Sequence, residues 1–317
     1  ELGAKPHNEK LIRQSTPTLQ EFYTKHYLPH IKQHKRSWRT ENSAFKIHIL
    51  PALGALLMSD ITRYNVTQLH TKQLEKGLKP ATANKIPTFL SIVFNLAIKW
   101  EISGVINNPA SNSKLFTENN KIERYLTKAE AKRLMQAAEE SDNKALKYII
   151  AFLLLTGARR NEALHAQWGD FNFKSMVWTI PLSKSGSVHH VPITNSLLTL
   201  LNSVPKIKGC EAVFPNPKTK KTYVSIYSAW NTIRMKAGLA DVRLHDLRHT
   251  FASTLVNSGR SLYEVKEILG HHNISVTERY AHLSNESLMA AADCAASLIP
   301  TASMAILNNE NNLSSLG

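Results

Sequence analysis

A polar stretch without apolar periodicity, NNPASNSKLFTENNKIE at residues 107–123, interrupts a chain of 317 residues that is otherwise patterned mainly for helices. Before this stretch, apolar residues recur at helical spacing, and Pro and Gly residues separate the apolar runs. A chain of this length is sufficient for about two domains. The pattern predicts a helical domain at 16–106 with four or five short helices, a linker at 107–123, and a second domain at 124–299.

Both ends of the chain are predicted to lie outside these domains. Residues 1–15 begin with ELGAKPHNEK, which is typical of the end of a linker. Residues 300–317 contain NNENNLSSLG and are predicted to form a flexible tail, because so polar a segment has little apolar surface to bury. Since the first residue is Glu rather than Met, we expect further residues upstream in the gene product.

The second domain is predicted to be mainly α-helical with one small antiparallel β-sheet. The capping-box pattern Thr127-Lys-Ala-Glu130 precedes an amphipathic helix, and an apolar helix follows at 145–155. MVWTIPLSKSGSVHHVPI, residues 176–193, places two β-branched and aromatic runs around Lys-Ser-Gly-Ser, which is the pattern of a β-hairpin. Further helices are predicted at about 195–203, 225–237, 246–257, 262–269 and 284–299.

The charge of the chain is strongly positive. It contains 39 Lys and Arg against 24 Asp and Glu, a formal net charge of +15. Residues 1–120 hold 16 of these basic residues and 8 of the acidic ones, so both halves are basic. Because such a chain attracts polyanions and displaces their counterions, nucleic acid is the predicted partner. A soluble protein that is merely basic is the alternative.

The two cysteines, Cys210 and Cys294, lie far apart and belong to no C-x-x-C motif. Neither a disulfide framework nor a cysteine zinc site is therefore indicated, and a reducing cytoplasm is the expected location. We also expect no apolar run of about 20 residues and no signal peptide, and hence no membrane partner.

Cationic and titratable residues are concentrated in two short segments. RLHDLRHTFAS places His245, Arg248 and His249 at the start of a helix, and LLLTGARRNEAL places Arg159 just after a helix end. The planar fork of arginine donates two directed hydrogen bonds and suits the nonbridging oxygens of a phosphodiester. Taken singly, each residue has an ordinary alternative: an arginine that is solvated or paired with Glu162, or a packed histidine.

The order of several segments is more specific than any one of them. TGARRNEAL, then Lys184 in the hairpin, then HDLRHT, then LGHHNISVTERYAHL resemble, in sequence and order, the signatures of the tyrosine recombinase family, also called the phage integrase family. The resemblance covers the catalytic half, from about residue 124 to 298. The first half is similar to the family's helical core-binding domain in length, helicity and charge.

The resemblance implies six catalytic residues. They are Arg159, Lys184, His245, Arg248, His271 and Tyr280. Attack by a tyrosine hydroxyl, whose pKa is ordinarily near 10, requires removal of its proton and neutralisation of the phosphate charge. The resemblance assigns the nucleophile to Tyr280, proton acceptance to His245, a hydrogen bond to a phosphate oxygen to His271, and acid catalysis at the leaving 5′ oxygen to Lys184. The two arginines neutralise the charge.

Some of these assignments have neighbours as alternatives. Lys174 also lies near the hairpin, and Arg160 and His272 each adjoin an assigned residue. His249 and Glu162 match family positions that support the site without performing its chemistry.

The implied product is a 3′-phosphotyrosyl link, formed without ATP, cofactor or metal ion. The resemblance further implies a homotetramer that acts on two double-stranded DNA sites through a Holliday junction, with a monomer or dimer free in solution. The helix at 284–299 would dock on a neighbouring protomer, although its apolar stripe alone equally fits a final core helix of its own domain. DNA-bending accessory proteins would assist. We expect a bacterial, nucleoid-associated integrase of a phage or mobile element, represented here without its N-terminal arm-binding domain.

Three other protein classes share parts of this pattern. A type IB topoisomerase-like strand transferase would share the chemistry, and a noncatalytic DNA-binding protein would share the charge. A zinc enzyme is suggested by His245-x-x-x-His249 and by the pairs His189-His190 and His271-His272. The motif lacks the glutamate of His-Glu-x-x-His.

Overall fold

The computed structural model describes residues 6–118, 124–181, 188–271 and 273–284. It is mainly helical with one three-stranded antiparallel sheet, which confirms the predicted fold class. The chain divides into two units, Glu1–Lys121 and Ile122–Gly317.

Several predicted features lie outside the described residues. They are Lys184 with its hairpin turn, His272, the helix at 284–299 beyond its first residue, and the tail at 300–317. The limits of the predicted domains stay predictions.

The first unit is built of short helices. They are α1 (Pro6–Ser15), α2 (Leu19–Phe22), α3 (Leu28–His34), α4 (Trp38–Ala44), α5 (Leu50–Leu53), α6 (Arg63–Glu75), α7 (Pro80–Ala83) and α8 (Lys85–Lys99). A π-helical turn at Tyr23–Tyr27 joins α2 to α3, and another at Phe45–Ile49 joins α4 to α5. Pro29 and Pro51 therefore lie in the first turn of α3 and α5 without ending the helical path. The core is aromatic, with Phe22, Tyr23, Tyr27, Phe45 and Phe94 buried.

Helix α1 occupies much of the segment that the sequence predicted as a linker. Pro6 begins the helix, a position where the missing N–H of proline is not needed. Near its end, Arg13 Nη2 lies 2.7 Å from Asp60 Oδ2, and the Ser15 hydroxyl lies 2.6 Å from the Ser103 hydroxyl. These contacts attach the helix to the first unit.

One helical stretch, Pro80–Lys99, is long and apolar enough to cross a membrane by length and composition alone. The expectation that no run approaches this length was therefore wrong. Ile86, Leu90, Val93 and Phe94 from this stretch are buried in the core of the first unit. Packing against the other helices accounts for their apolar character.

The predicted linker is partly ordered against the first unit. The buried Asn84 side chain pairs with the backbone of Phe116: Oδ1 accepts its N–H at 2.9 Å, and Nδ2 donates to its carbonyl at 3.0 Å. The ring of His70 packs on that of Phe116, with centroids 4.0 Å apart. The sequence did not reveal this anchoring, because a single side-chain amide that bonds the backbone of a distant residue leaves no periodic pattern in the sequence.

The second unit combines helices with the small sheet. Its helices are α9 (Lys128–Glu139), α10 (Leu146–Thr156), α11 (Arg160–Leu164), α12 (Asn195–Ser203), α13 (Tyr227–Lys236), α14 (Asp246–Asn257) and α15 (Leu262–Leu269). Its strands are β1 (Phe171–Asn172), β2 (Val177–Ile180) and β3 (His189–Pro192). Three-residue 3₁₀ turns lie at Trp168–Asp170 and Ile274–Val276, and a longer one at Glu278–Ser284.

The predicted hairpin is present as β2 and β3, with Trp178 opposite Val191 and Ile180 opposite His189. Strand β1, which the sequence did not predict, adds an edge through Phe171 and Asn172. Helix α10 packs against α9, α12 and α14 in the centre of the unit. Trp178 is buried between this helix and the sheet, stacked on Phe171 and edge-on to Phe152. This core fixes the end of α10, from which the candidate site starts.

We predict that Asn84→Ala releases the segment around Phe116, because the buried amide makes both hydrogen bonds to its backbone. The first unit should lose about 1–3 kcal/mol of unfolding free energy, and trypsin should cleave faster after Lys114. Limited proteolysis and urea unfolding measure the two effects. Thr82→Ala, at an exposed position two residues earlier, is the matched control and should change little. Equal cleavage rates in the two variants would contradict the anchoring role.

Candidate active site

Two helix ends define the candidate site. Helix α10 is followed by Gly157 with φ of 62°, and α15 by Gly270 with φ of 63°, both left-handed conformations. A Cβ at Gly157 would lie 2.3 Å from the Phe251 ring, and one at Gly270 would lie 2.8 Å from the His189 ring. Both positions therefore require glycine, because the backbone conformation is left-handed and because there is no room for a Cβ. Both ends present carbonyl groups that lack helical partners.

Arg248 binds both helix ends. Its Nη1 donates to Gly157 O and its Nη2 to Leu269 O, each at 2.7 Å, and only 5% of the residue is exposed. The carbonyl ends of helices carry partial negative charge, which suits a buried guanidinium. Arg248 thereby holds α10, α14 and α15 together.

The carbonyls on either side of Leu269 also receive hydrogen bonds. His189 Nε2 donates to Ile268 O at 3.0 Å, and Arg159 Nη2 approaches Gly270 O at 3.4 Å. Three consecutive carbonyls at the end of α15 thus accept hydrogen bonds from side chains of β3, of α14 and of the residue that precedes α11. The end of α15 is the point at which the site residues meet.

Arg159 is oriented by Glu162. The glutamate accepts from the Arg159 backbone N–H at 2.8 Å and from its Nη1 at 2.7 Å, which caps α11 and fixes the guanidinium. The Glu162 side chain is 7% exposed and that of Arg159 is 28% exposed. Pairing with Glu162, the ordinary alternative at the sequence level, is therefore present. It leaves Arg159 partly open to solvent.

The two predicted site histidines lie at helix boundaries. His245 immediately precedes α14; part of the residue is exposed to solvent, and its ring packs against that of buried His249. The start of this helix is held by the fully buried Asp246, which accepts from the backbone N–H of Arg243 at 2.7 Å. His271 follows Gly270, and its Nδ1 is 2.8 Å from the hydroxyl of buried Thr277. This contact leaves the Nε2 of His271 available for another partner.

The concentration of positive charge perturbs the titration of the site. Burial, and then the nearby Arg159, lower the pKa of Arg248 to about 10, so it remains charged at neutral pH. Burial, followed by Arg248 and Arg159, lowers the pKa of His271 to about 3. Desolvation and Arg248 also lower the pKa of His245. The site thus combines fixed guanidinium charges with neutral histidines, an arrangement suited to an anion.

Tyr280 lies in a buried apolar cluster and is 5% exposed. Its neighbours in this cluster are Ala252, Val256, Val265 and Leu269. The hydroxyl lies 2.5 Å from His249 Nδ1, and burial raises the pKa of this tyrosine. The sequence assigned its proton to His245, whose ring packs edge-on against His249 at 4.9 Å between centroids. The catalytic role of His245 stays a prediction.

The structure brings five of the six predicted site residues into the second unit, and Lys184 lies outside the described part. Lys174, the alternative lysine, is exposed beyond β1. Sequence reasoning missed His189 and Thr277 as site residues. On β3, His189 is partly buried and His190 is exposed. The alternation of side chains along the predicted strand could have indicated that one of these two histidines faces inward. Nothing in the sequence singled out Thr277. Among the described residues, no group of three or more His, Cys, Asp or Glu could hold a metal ion.

The sequence matches the phage integrase family over residues 124–287, more than half of the chain. The chain belongs to the phage integrase family. It is 30% identical to the integrase of Salmonella phage P22 over 66% of this chain and 57% of that protein. It is 32% identical to the integrase of Haemophilus phage HP1 over 67% of this chain and 59% of that protein. The chain thus spans under two thirds of both phage relatives.

One further relative and two solved structures match a larger part of this chain. A tyrosine recombinase of Thermosipho africanus is 25% identical over 82% of this chain and 93% of that protein. Among solved structures, a lambda integrase dimer bound to a core site matches with a TM-score of 0.70 and 20% identity, covering 88% of this chain and 81% of that one. The Tn1549 transposon integrase matches with a TM-score of 0.69 and 19% identity, covering 87% and 99%. These structures confirm the fold.

We predict that Arg248→Lys destabilises this integrase-family protein as well as altering its site. A single ammonium group cannot reproduce the fork that reaches both Gly157 O and Leu269 O. The loss should be about 1–3 kcal/mol in urea unfolding, because buried carbonyls are left without donors. Arg160→Lys, which makes the same exchange at an exposed position of the second unit, is the control. Wild-type stability in Arg248→Lys would contradict the bridging role.

The buried histidines predict a pH dependence of stability. The pKa of His249 is lowered to about 4, first by burial and then by His245, and that of His271 to about 3. Unfolded histidines bind protons near pH 6.5, so stability is complete above this pH and falls as the pH decreases toward the folded-state values.

We expect each of these two histidines to remove about 1 kcal/mol of stability between pH 7.5 and pH 5.5, measured by urea unfolding. In His249→Asn the difference between the two pH values should shrink by about the same amount. Equal or greater stability at pH 5.5 in the wild type would show that these rings are not held neutral.

Proposed function

We propose that this protein is a site-specific tyrosine recombinase that cuts and rejoins duplex DNA, most simply as the integrase of a phage or mobile element. One observation carries the proposal: Arg248 and Arg159 meet at the end of α15 beside His271, in the same unit as the buried hydroxyl of Tyr280. Cationic groups fixed in this way suit the pentacoordinate phosphate of a transesterification. The net charge of +15 supports a polyanionic substrate.

The proposed reaction begins with attack of the Tyr280 oxygen on the scissile phosphorus. A bond forms between this oxygen and phosphorus, the bond from phosphorus to the 5′ oxygen breaks, and the tyrosine loses its proton. The departing strand takes a proton, which we assign to Lys184, and leaves as a 5′ hydroxyl. The 3′ phosphate stays on Tyr280 until the 5′ hydroxyl of another strand reverses the attack, so the number of phosphodiester bonds is unchanged and no ATP is consumed.

The other residues stabilise charge in this scheme. Arg159 and Arg248 donate to the nonbridging oxygens, which is the electrostatic role that divalent metal ions take in other phosphoryl-transfer enzymes. His271 donates from Nε2 in the tautomer whose Nδ1 accepts a hydrogen bond from the Thr277 hydroxyl. His245 accepts the proton of Tyr280 once the hydroxyl reaches the DNA.

The proposed assembly is a homotetramer on two double-stranded DNA sites. A related fold, a lambda integrase tetramer, has been solved bound to a Holliday junction, with a TM-score of 0.70 to this chain. In our proposal the segment 284–299 docks on a neighbouring protomer and links the position of Tyr280 to assembly. The reaction would take place on the bacterial nucleoid in the cytoplasm, with accessory DNA-bending proteins.

We predict that Tyr280→Phe binds a recombination site normally and forms no covalent complex with a nicked duplex. Only the hydroxyl is removed, so the buried ring should pack as before. Denaturing electrophoresis after incubation with the nicked site detects the covalent product. Arg159→Ala should slow its formation by a factor on the order of 10² or more at saturating DNA. Tyr227→Phe, which changes an exposed tyrosine, is the control. Covalent trapping by Tyr280→Phe would assign the nucleophile to another residue.

A further inference from the structure

The hydrogen bond between Tyr280 and His249 is not part of the proposed reaction. His249 lies one residue after Arg248 on α14, and the segment 273–284 brings Tyr280 onto it from 31 residues further along the chain. Both residues are buried, at 8% and 5% exposure. The hydroxyl that must reach a DNA phosphate is thus inside the protein and already has a partner.

The titration of the two groups argues against a role for His249 as the base. Burial, and then His245 and Arg279, lower the pKa of His249 to about 4. Burial raises the pKa of the tyrosine above its ordinary value near 10. Both shifts disfavour transfer of the proton from Tyr280 to this imidazole. The imidazole is neutral and is best suited to accept a hydrogen bond from the hydroxyl.

Packing adds to this hydrogen bond. The Tyr280 ring belongs to the apolar cluster formed by α14 and α15, and its backbone N–H donates to Thr277 O at 3.0 Å. Thr277 is fully buried and in contact with His271. The segment that carries the nucleophile is therefore attached by two histidines, His271 near its start and His249 at Tyr280.

We propose that His249 is a positioning residue that holds the Tyr280 hydroxyl in a stored, nonreactive position until DNA binding and assembly withdraw the tyrosine. The inference rests on the proposed role of Tyr280 as nucleophile. It assigns to His249 a function separate from that of His245: His249 holds the hydroxyl before the reaction, and His245 accepts its proton during the reaction. Loss of His249 should release the tyrosine without slowing the chemical step.

The first test uses the full chain without DNA, so that it is independent of recombinase activity. N-acetylimidazole acetylates accessible tyrosine hydroxyls, and mass spectrometry of tryptic peptides gives the rate at each tyrosine. Tyr280 should react much more slowly than the exposed Tyr64, Tyr227 and Tyr263 of the same molecule. This comparison needs no variant. Equal rates at Tyr280 and the exposed tyrosines in the wild type would overturn the proposal.

Variants then test the hydrogen bond itself. His249→Phe keeps a ring but removes the acceptor, and acetylation of Tyr280 should accelerate about fivefold to tenfold, as expected for the loss of one hydrogen bond. His249→Asn places an oxygen at the position of Nδ1 and should retain the slow rate. His190→Asn, which alters an exposed histidine, is the matched control. Unchanged protection in a folded His249→Phe, as judged by its thermal melt and by unchanged rates at the exposed tyrosines, would overturn the proposal.

A single-turnover cleavage assay on a nicked duplex separates holding from catalysis. At saturating DNA, His249→Phe should form the covalent complex at least as fast as the wild type, and His249→Asn should resemble the wild type. A loss of 10² or more in His249→Phe, with DNA binding retained, would make His249 part of the chemistry and overturn the proposal. If the wild type also fails to cleave, the proposed function fails, and the acetylation rates still decide whether His249 holds Tyr280.

Discussion

The second unit depends on one buried guanidinium. Arg248 donates to the carbonyl of Gly157, just after α10, and to that of Leu269, the last residue of α15, so a buried guanidinium binds the negative ends of two helix dipoles. Gly157 and Gly270 allow this approach, because each ends its helix in a left-handed turn and leaves no Cβ in the way. An arginine that both supports the fold and serves the proposed chemistry is already rigid before DNA arrives, which lowers the cost of organising the transition state.

Four histidines in and around the candidate site have lowered pKa values, which favours the neutral imidazole. Burial and nearby arginines lower the pKa of His189, His245, His249 and His271, so the site does not accumulate charge beyond its arginines. A neutral imidazole has one donor and one acceptor, and each contact fixes which nitrogen remains free. His189 must donate to Ile268 O, and His271 is engaged at Nδ1 by Thr277. Among the described residues of the site, the positive charge offered to a phosphate therefore comes mainly from Arg159 and Arg248.

Sequence reasoning predicted much of this fold because local patterns were strong. The capping box at Thr127, the apolar run of α10 and the alternation in β2 and β3 correspond to elements of the structure. The resemblance also selected Arg159, Arg248 and His271, which the structure places around one helix end. Contacts made by polar side chains across long sequence distances could not be read. Asn84 against Phe116 and Thr277 against His271 leave no periodicity, and the partner of Tyr280 depends on how residues 273–284 pack.

The distances along the chain between contacting residues bear on how the protein is made. Arg248 bonds a carbonyl 91 residues earlier, Arg159 approaches one 111 residues later, and Leu126 N–H donates to the hydroxyl of Thr250, 124 residues away. Such nonlocal pairs form late, after the loops between them have closed. During synthesis, the helical first unit can fold while the site still lacks its final helices. A nascent chain then carries a DNA-attracting charge before the candidate site is assembled, so the proposed cleavage of DNA would become possible only after the segment that bears Tyr280 has been synthesised.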